Sequence, residues 1–302
     1  SMKLEGRRIT FLGDVHVQNE TGWLRTRKLV AQTTEDIRFD GAGGGGRPQL
    51  EQLECWEGAV AEFDQRDLGG VTSRQHVEVQ SLRANHVTGA LDGMGPGHID
   101  SVHYSKGPAA LLALPAGGGG GAQAPGLVPA GPPQLRHLHI DFLREIEGNL
   151  RTSSVAVHGN VEAVYGPVAA WDQRLAMTPG GNPGVGEVWI TADKLGVTES
   201  PMARVQAPQQ KQFELTAEGH ANIEGRDAQQ GEFNAYGHRA RYDQSKGTFI
   251  LEGDGVTPAT IEQRAPNGGP SSPFKAQRME FNQETGSVKA VGGQGQFHQV
   301  PK

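Results

Sequence analysis

The residues of this sequence that could do chemistry are few and widely separated. His137-Leu138-His139 places two imidazoles on one face of a strand, and Asp141 shares that parity, so a metal site is conceivable there. A structural zinc site needs four well-placed ligands, and a catalytic one needs three and a water. The 11 histidines are scattered, and His16, His158 and His220 fall at polar positions. Solvated histidines are therefore favoured, and no metal site is predicted.

Covalent and acid–base catalysis find equally little support. Cys55 lacks a basic neighbour that would favour the thiolate, so we expect it to be buried. Glu145 and Glu147 are a possible acid–base pair, but nothing places a substrate near them, which favours a solvated face. The sequence contains no Gly-x-Ser-x-Gly and no His-Glu-x-x-His motif, and residues 43–47 lack the Lys-Ser/Thr of a phosphate-binding loop. We predict neither an enzyme nor a cofactor.

The composition indicates a β-protein that is rich in turns. Of 302 residues, 44 are Gly and 18 are Pro, while 35% are hydrophobic, so a core must be spread over short segments. The net charge of −6 leaves no basic excess for binding phosphates, which argues against a nucleic-acid partner. No stretch approaches the roughly 20 apolar residues of a membrane span. A single cysteine excludes an internal disulfide framework.

Two low-complexity stretches divide the chain. Residues 41–46 are Gly-rich, and residues 107–133 combine Gly and Pro, so both are expected to be flexible loops. We therefore predict a first β-repeat region over 1–106, a linker or loop over 107–133, and a second β-repeat region over 134–302. The sequence leaves open whether the two regions form one continuous sheet. Residues 59–63 and 142–146 have some helical character and are expected to form a short helix or cap. Ser1-Met2 is typical of a cloning remnant, so no compartment follows from the missing signal segment.

Internal repetition is the strongest signal in the sequence. A first element places apolar residues at every second position with a Gly at the same parity, and its copies are residues 9–17, 155–163 and 215–223, with partial copies at 249–253 and 288–292. A period of two puts these side chains on one face of a strand. A Gly on that face needs a reason, such as a bend, a bulge or the close approach of another chain. Curvature of a folded-over sheet and room for a bound chain are both compatible with this pattern.

A second element has an apolar residue, then Ala or Thr two positions later, then an apolar residue or His three positions after that. Its five copies are residues 24–29, 82–87, 190–195, 233–238 and 274–279. The change of parity within the element predicts a bulge or kink. The last two copies continue into Asp/Asn-Gln-x-x-Gly at 243–247 and 282–286, which is typical of hairpin turns.

The ordered repetition resembles a known family. A Gly-Asp-Val or Gly-Asn-Val strand, a turn, then Ile190-Thr191-Ala192-Asp193-Lys194-Leu195 and a Tyr-Asp-x-x-x-Gly turn at 242–247 are similar to the OstA-like family. These are LptA-type lipopolysaccharide-transport proteins, which include LptA, the N-terminal part of LptD and, more distantly, LptC. The resemblance is carried by residues 11–17 with 24–29, 157–163 with 190–195, 217–243 and 274–292, whereas 41–75 and 100–150 match it poorly.

The resemblance implies an all-β fold of repeated antiparallel strands in a folded-over sheet, the β-taco or β-jellyroll, with Gly/Pro-rich loop insertions. It implies a periplasmic or cell-envelope protein that binds and transports lipopolysaccharide or a related glycolipid, as a bridge or a shuttle. Open sheet edges would pair with other envelope-transport β-jellyroll proteins or with further copies of this chain. The acyl chains would lie in an apolar slot, for which the candidate residues are Phe11, Val15, Val17, Val155, Val157, Val161, Leu215, Ile223, Phe249 and Leu251.

The residues alone leave rival hypotheses open. The apolar positions could equally form the filled core of a structural or interaction β-repeat protein of the cell envelope, with no lipid ligand. A carbohydrate-active β-enzyme would need a cleft with paired carboxylates, and the sequence offers no such cluster. A dry slot has a clear physical purpose, because an acyl chain of about a dozen carbons exposes apolar surface worth on the order of 10 kcal/mol in water.

Overall fold

The computed structural model describes residues 1–37, 48–67, 70–105, 134–178, 180–199, 213–227, 231–243, 246–264, 273–282 and 288–293. Within these ranges the helices and strands assigned are all β-strands, nineteen in number, and their pairings of known register are antiparallel. The all-β prediction with repeated antiparallel strands is therefore confirmed. The Gly-rich stretch 41–46 and the predicted linker 107–133 lie outside the described residues. In the part of the chain described, no helix has the length and hydropathy to cross a bilayer.

The strands fall into two compact units, and three strands contribute residues to both. Unit 1 comprises residues 1–101 and 141–158, and unit 2 comprises residues 102–140 and 159–302. The division of the sequence at 107–133 remains a prediction. The shared strands are β8 (Gly97–Ser105), β9 (Gln134–Phe142) and β11 (Ser154–Pro167).

Unit 1 is built around one long strand whose two halves have different partners. The long strand is β4 (Leu50–Asp67). Besides β4 and its parts of the shared strands, unit 1 contains β1 (Met2–Glu5), β2 (Arg8–Gln18), β3 (Gly22–Thr33), β5 (Gly70–Val79), β6 (Ser81–Asn85), β7 (Ala90–Met94) and β10 (Glu145–Asn149). Strands β1 to β4 pair in sequence order. The first half of β4 then pairs with β6 and its second half with β5. From β6 the ladder continues through β7 and β10 to β11.

Unit 2 repeats this arrangement. Its strands are β12 (Val188–Glu199), β13 (Phe213–Asp227), β14 (Gly231–Asp243), β15 (Thr248–Glu252), β16 (Ala259–Arg264), β17 (Phe274–Ala276), β18 (Arg278–Asn282) and β19 (Val288–Val291). Strands β12, β13 and β14 pair in order, after which the first half of β14 pairs with β16 and the second half with β15. The two branches continue to β17 and through β18 to β19.

Register shifts interrupt the long strand pairs at matching places in the two units. Between β2 and β3 the pairing skips residues 13–14 on one strand and Arg27 on the other. Between β13 and β14 it skips residues 219–220 on one strand and His238 on the other. Two residues opposite one form a β-bulge. The φ angles of Gly13, Gly219 and His220 are 108°, 72° and 49°, so the repeated glycine serves the bulge geometry.

The two sequence elements occupy neighbouring strands at these bulges. On β13, which carries the glycine, Ala217 and Ile223 keep the same parity across the bulge. On β14 the parity changes, because Ala240 pairs with Ala217 while Ala235 pairs with Ile223. The predicted change of parity is confirmed, and it keeps the apolar side chains of both strands on one face.

The expected helices are not present in the described residues. Residues 59–63 lie within β4, and residues 142–146 belong to the end of β9, two intervening residues and the start of β10. The helical prediction was wrong because Phe142 and Ile146, although spaced like one helical face, lie on two successive extended strands, β9 and β10, which both pair with β11. Ile146 then pairs with Gly93 and Val157 on neighbouring strands.

Candidate functional site

Cross-strand rows of apolar side chains form the inner face of unit 2. Because directly opposed residues on paired strands point to the same face, the registers give these rows directly. The longest well-covered row contains Leu195, Ala217, Ala240, Leu251 and Met279, all of them buried. The next row toward the strand ends contains Val197, Leu215, Tyr242, Phe249 and Phe281. Across the bulge, the other branch contributes Ile190, Ile223, Ala235, Ile261 and Phe274.

Unit 1 has an inner face of the same construction. Its longest row crosses seven strands and contains Phe11, Leu29, Cys55, Leu82, Gly93, Ile146 and Val157. The parallel row contains Ile9, Ala31, Leu53, Ala84, Leu91, Gly148 and Val155. Across the bulge, two shorter rows are Val15, Thr26, Ala59 and Val79, and Val17, Leu24, Ala61 and Val77.

Nine of the ten predicted slot residues lie in these rows, while Val161 lies on β11 outside them, and five of the ten are deeply buried. Val157, Val161, Ile223, Phe249 and Leu251 are buried, whereas Phe11, Val15, Val155 and Leu215 are half-buried and Val17 is 44% exposed. The structure brings Phe11 and Val157 into one row of unit 1, and Leu215 and Phe249 into one row of unit 2. Their assignment to a lipid slot remains a prediction.

The depth of burial differs between the rows. Leu251 is 0% exposed in unit 2, whereas inner-facing Val17 and Phe63 of unit 1 are each 44% exposed. Phe63 shares the inner face because it follows Ala61 by two residues on β4 and pairs with Gly22. The inner face of unit 1 is therefore open to water where β2 and β4 approach the turn between β2 and β3.

Several large residues of the rows were missed by the sequence analysis. Tyr242 and Phe281 lie beside Phe249, and Met279 lies beside Leu251. They belong to strands of the second element, whose parity change hides the period-two pattern. The sequence does contain the alternating pattern in β14. Phe233 and Tyr242 differ in parity, but the bulge at His238 brings both side chains to the same face.

Two titratable groups, Tyr242 and Cys55, lie within the apolar rows. Tyr242 is buried, and burial raises the pKa of its phenol well above the ordinary value. Cys55 is also buried, as predicted, and burial raises the pKa of its thiol to about 11. Both groups are therefore neutral near pH 7, and Cys55 is not an activated nucleophile.

The outer face at each bulge carries a polar groove. A groove of about 720 Å³ in unit 2 is lined by Asp193, Lys194, Glu218, Gly219, His238, Arg239, Glu252, Gly253, Gly255, Gln277 and Arg278. His220 contacts Asp193 with 2.9 Å between Nδ1 and Oδ2. In unit 1 a groove of about 510 Å³ is lined by Leu12, Gly13, Asp14, Arg25, Arg27, Lys28 and Glu57. These charged grooves have no lining suited to an acyl chain, so the inner rows are the candidate lipid site.

A two-pronged ion pair supports the unit 1 groove. Arg25 donates from Nε and Nη2 to the two carboxylate oxygens of Asp14, at 2.8 and 3.1 Å. The hydrogen bonds and the positive charge of Arg25 lower the pKa of Asp14. Since Asp14 belongs to the bulge, this pair ties the bulge of β2 to the neighbouring strand β3.

The candidate catalytic and metal-binding residues have structural contacts. His137 is buried rather than solvated, and its Nδ1 accepts a hydrogen bond from the backbone N–H of Leu175 at 2.9 Å. Glu147 lies 3.0 Å from Nε2 of His158, and Glu145 lies 4.0 Å from Nδ1 of the same ring. Both carboxylate side chains are about half exposed, in line with the predicted solvated face.

Comparisons with known proteins bear mainly on unit 2. Residues 185–287 match the family model described as "LptA/(LptD N-terminal domain) LPS transport protein". The resemblance predicted from the repeats is therefore confirmed for this segment. No curated protein matches the chain significantly. Among solved structures, LptH of Pseudomonas aeruginosa, the LptA homologous periplasmic component of the lipopolysaccharide transport device, matches with 12% identity and a TM-score of 0.32. That match covers 51% of this chain and 80% of LptH, and at this level it carries no functional information.

Proposed function

Since residues 185–287 belong to the LptA/LptD N-terminal family of lipopolysaccharide-transport proteins, we propose that this chain binds lipopolysaccharide or a related envelope glycolipid and takes part in its transport. The observation that carries the proposal is the pair of continuous apolar inner faces. The seven-strand row of unit 1 spans about 29 Å at ~4.8 Å per strand, which is long enough for an extended acyl chain to lie across it.

Transport on such a surface requires no bond to be made or broken. The inner rows would remove the acyl chains from water, while the charged outer face keeps the carrier hydrated. Burial of about a dozen CH₂ groups contributes on the order of 10 kcal/mol to the binding free energy. Where the rows are already covered, the cost of separating packed side chains reduces this gain. In this role the chain would not act as an enzyme, and its proposed location is the periplasm or cell envelope.

We infer that acyl chains enter at the less covered end of unit 1. Val17 and Phe63 face inward and are each 44% exposed, so apolar surface is already in contact with water there. Binding at this end gains burial without first breaking well-packed contacts. Leu251 is already fully buried, so an acyl chain would have to displace an apolar neighbour there. Exchanging one apolar contact for another adds little to the binding free energy.

Partners of the same fold would join by strand addition. An edge strand offers unpaired backbone groups to a further strand, which adds main-chain hydrogen bonds between molecules. Other envelope-transport β-jellyroll proteins, or further copies of this chain, are the proposed partners. Such an array would extend the inner face from one molecule to the next, as a bridge requires.

A second function is favoured by the complete burial of the row through Leu251 in unit 2. Ala217 and Leu251 are 0% exposed, which is typical of a filled core. A structural or interaction β-repeat protein of the cell envelope would have such a core and no lipid ligand. The two functions differ in whether a glycolipid binds to the inner face.

Native mass spectrometry of the full chain with lipid A separates these functions. We expect a saturable adduct of lipid mass with the wild-type chain, and at least a tenfold weaker adduct with the double variant Val17→Glu/Phe63→Glu. The matched control is Leu12→Glu, because Leu12 lies on the same strand β2, is 47% exposed, and faces outward opposite Lys28. It should bind like the wild type.

Each other outcome is informative. Folded wild-type protein without an adduct would contradict lipid binding and favour the structural role. An adduct that survives the double variant, or is lost equally in Leu12→Glu, would contradict entry at Val17 and Phe63. Circular dichroism of each variant confirms that the fold is retained.

A further inference from the structure

A cluster of histidines and carboxylates lies on the outer face of unit 1. Strand β5 pairs with β8, and the cluster comprises His76 and Glu78 on β5 and His98 on β8. His76 and Glu78 point away from the inner face, because Val77 and Val79 of the same strand belong to the inner rows. The cluster is therefore separate from the proposed lipid site.

The ligand atoms of these three side chains converge. One imidazole nitrogen each from His76 and His98 and a carboxylate oxygen of Glu78 lie within 4.8 Å of one another. The two rings are stacked with their centroids 5.5 Å apart and an interplanar angle of 21°. Ligands around tetrahedral Zn²⁺ are separated by about 3.3 Å, given bond lengths of ~2.0 Å. The side chain of Glu78 is more than half exposed, so a rotamer change can supply most of this approach.

The surrounding charges favour a cation. A carboxylate oxygen of Asp100 lies 3.7 Å from Nε2 of His98, and one of Glu62 lies 4.0 Å from Nδ1 of His76. The nearby cation is Arg74, which is 3.8 Å from Glu62 and binds Asp64 more closely, at 3.0 Å. Three carboxylates thus surround two imidazoles, and a bound divalent ion would balance their charge.

We propose that His76, Glu78 and His98 bind a divalent transition-metal ion of the Zn²⁺ class, with Asp100 or a water as the fourth ligand. Imidazole nitrogen suits Zn²⁺, Cu²⁺ and Ni²⁺, whereas Ca²⁺ and Mg²⁺ prefer sites made of oxygen ligands. The ion would link the paired strands β5 and β8 through their side chains, and so would brace this strand pair. The sequence contains the signal as His-Val-Glu at 76–78 and His-Ile-Asp at 98–100, each with an acid two residues after a histidine.

Isothermal titration of the full, tag-free chain with Zn²⁺ tests the site. The expected result is one Zn²⁺ per chain, with binding weakened at least tenfold in His76→Ala and in His98→Ala. His220→Ala is the matched control, because His220 is an exposed histidine 2.9 Å from the carboxylate of Asp193 but belongs to no group of three converging ligands in the part of the chain that the structure describes. It should bind Zn²⁺ like the wild type, and Mg²⁺ should not compete.

A second readout distinguishes direct ligation from a change of fold. Co²⁺ bound in place of Zn²⁺ should give the visible absorption of a tetrahedral site, and this absorption should be lost in His76→Gln and His98→Gln variants whose circular dichroism is unchanged. The proposal is overturned if the wild-type chain binds no Zn²⁺. It is equally overturned if both histidine variants keep wild-type affinity, or if His220→Ala alone removes binding. Lipid A binding is measured separately, so failure of the metal site leaves the proposed function unaffected.

Discussion

Units 1 and 2 use the same arrangement of strands but cover their inner faces to different extents. In each, a long strand, β4 or β14, passes from one partner to another near a bulge. In unit 2 the row through Leu251 is closed from Leu195 to Met279. In unit 1 the row that ends at Val17 leaves that side chain 44% exposed.

The difference teaches that alternation and closure have separate causes. Alternation decides which face of a strand is apolar, and it operates equally in both units. Closure depends on what packs over the inner face and not on side-chain size alone. The small Ala217 and Ala240 of unit 2 are buried, whereas the large Phe63 at the open end of unit 1 is 44% exposed. Apolar surface without such cover stays within reach of water or of a ligand.

The largest predicted contrast comes from placing a charge in each inner face. Leu251→Asp puts an unpaired carboxylate at a position with no exposure and should lower the free energy of unfolding by about 4 kcal/mol or more. Val17→Asp, at a position in contact with water, should cost less than about 1 kcal/mol. Urea unfolding followed by circular dichroism measures both. Equal costs would show that the two inner faces are covered to the same extent.

A smaller contrast is expected at the bulge glycines. A Cβ at Gly219 would clash with the side chain of Asp193, in addition to the strain of a positive φ, whereas a Cβ at Gly13 meets nothing within 4 Å. We expect Gly219→Ala to cost about 2 to 3 kcal/mol of unfolding free energy and Gly13→Ala about 1 kcal/mol.

A double-mutant cycle isolates the crowding at Gly219. In the Asp193→Gly background the close contact is absent, so Gly219→Ala should cost about as much as Gly13→Ala, roughly 1 kcal/mol. Thermal or urea unfolding of the four proteins gives the coupling energy. If the cost of Gly219→Ala is the same in both backgrounds, the crowding by Asp193 has no energetic weight.

The smallest contrast concerns acid stability. Hydrogen bonds from Arg74, at 3.0 Å, lower the pKa of Asp64 in unit 1, while backbone N–H groups of Thr257 and Val256 lower the pKa of Asp254 in unit 2. A lowered folded-state pKa adds stability that is present above the unfolded value of about 3.9 and is lost as the pH falls through the folded value. Asp64→Asn should therefore flatten the loss of stability below about pH 4, by less than about 1 kcal/mol.

The stability contributions of the two carboxylates should depend differently on salt concentration. The contribution of Asp64 comes from ion pairs and should decrease at high ionic strength, whereas that of Asp254 comes from backbone hydrogen bonds and should persist. Carboxyl titrations by NMR at low and high salt measure both. A salt-insensitive Asp64 would contradict its assignment to Arg74.

Much of the strand pattern was accessible from the sequence, because a period of two is a local property. The glycine of residues 215–223 and the parity change of residues 233–238 predicted a bulge, and the register places both at the same bulge. The partners of β4 were not predictable, since nothing local states that its halves pair with β5 and β6. His76 and His98 were missed for the same reason, because only the pairing of β5 with β8 brings them together.

The bulges also limit how such a chain can grow by duplication. A strand of the first element supplies two residues at the bulge and its neighbour of the second element supplies one, so neither makes a straight ladder alone. A single duplicated strand would pair with a strand of its own type, and half of its apolar side chains would then face water. The repeat unit is therefore a pair of strands, and we expect repeats of this protein to be gained or lost two strands at a time.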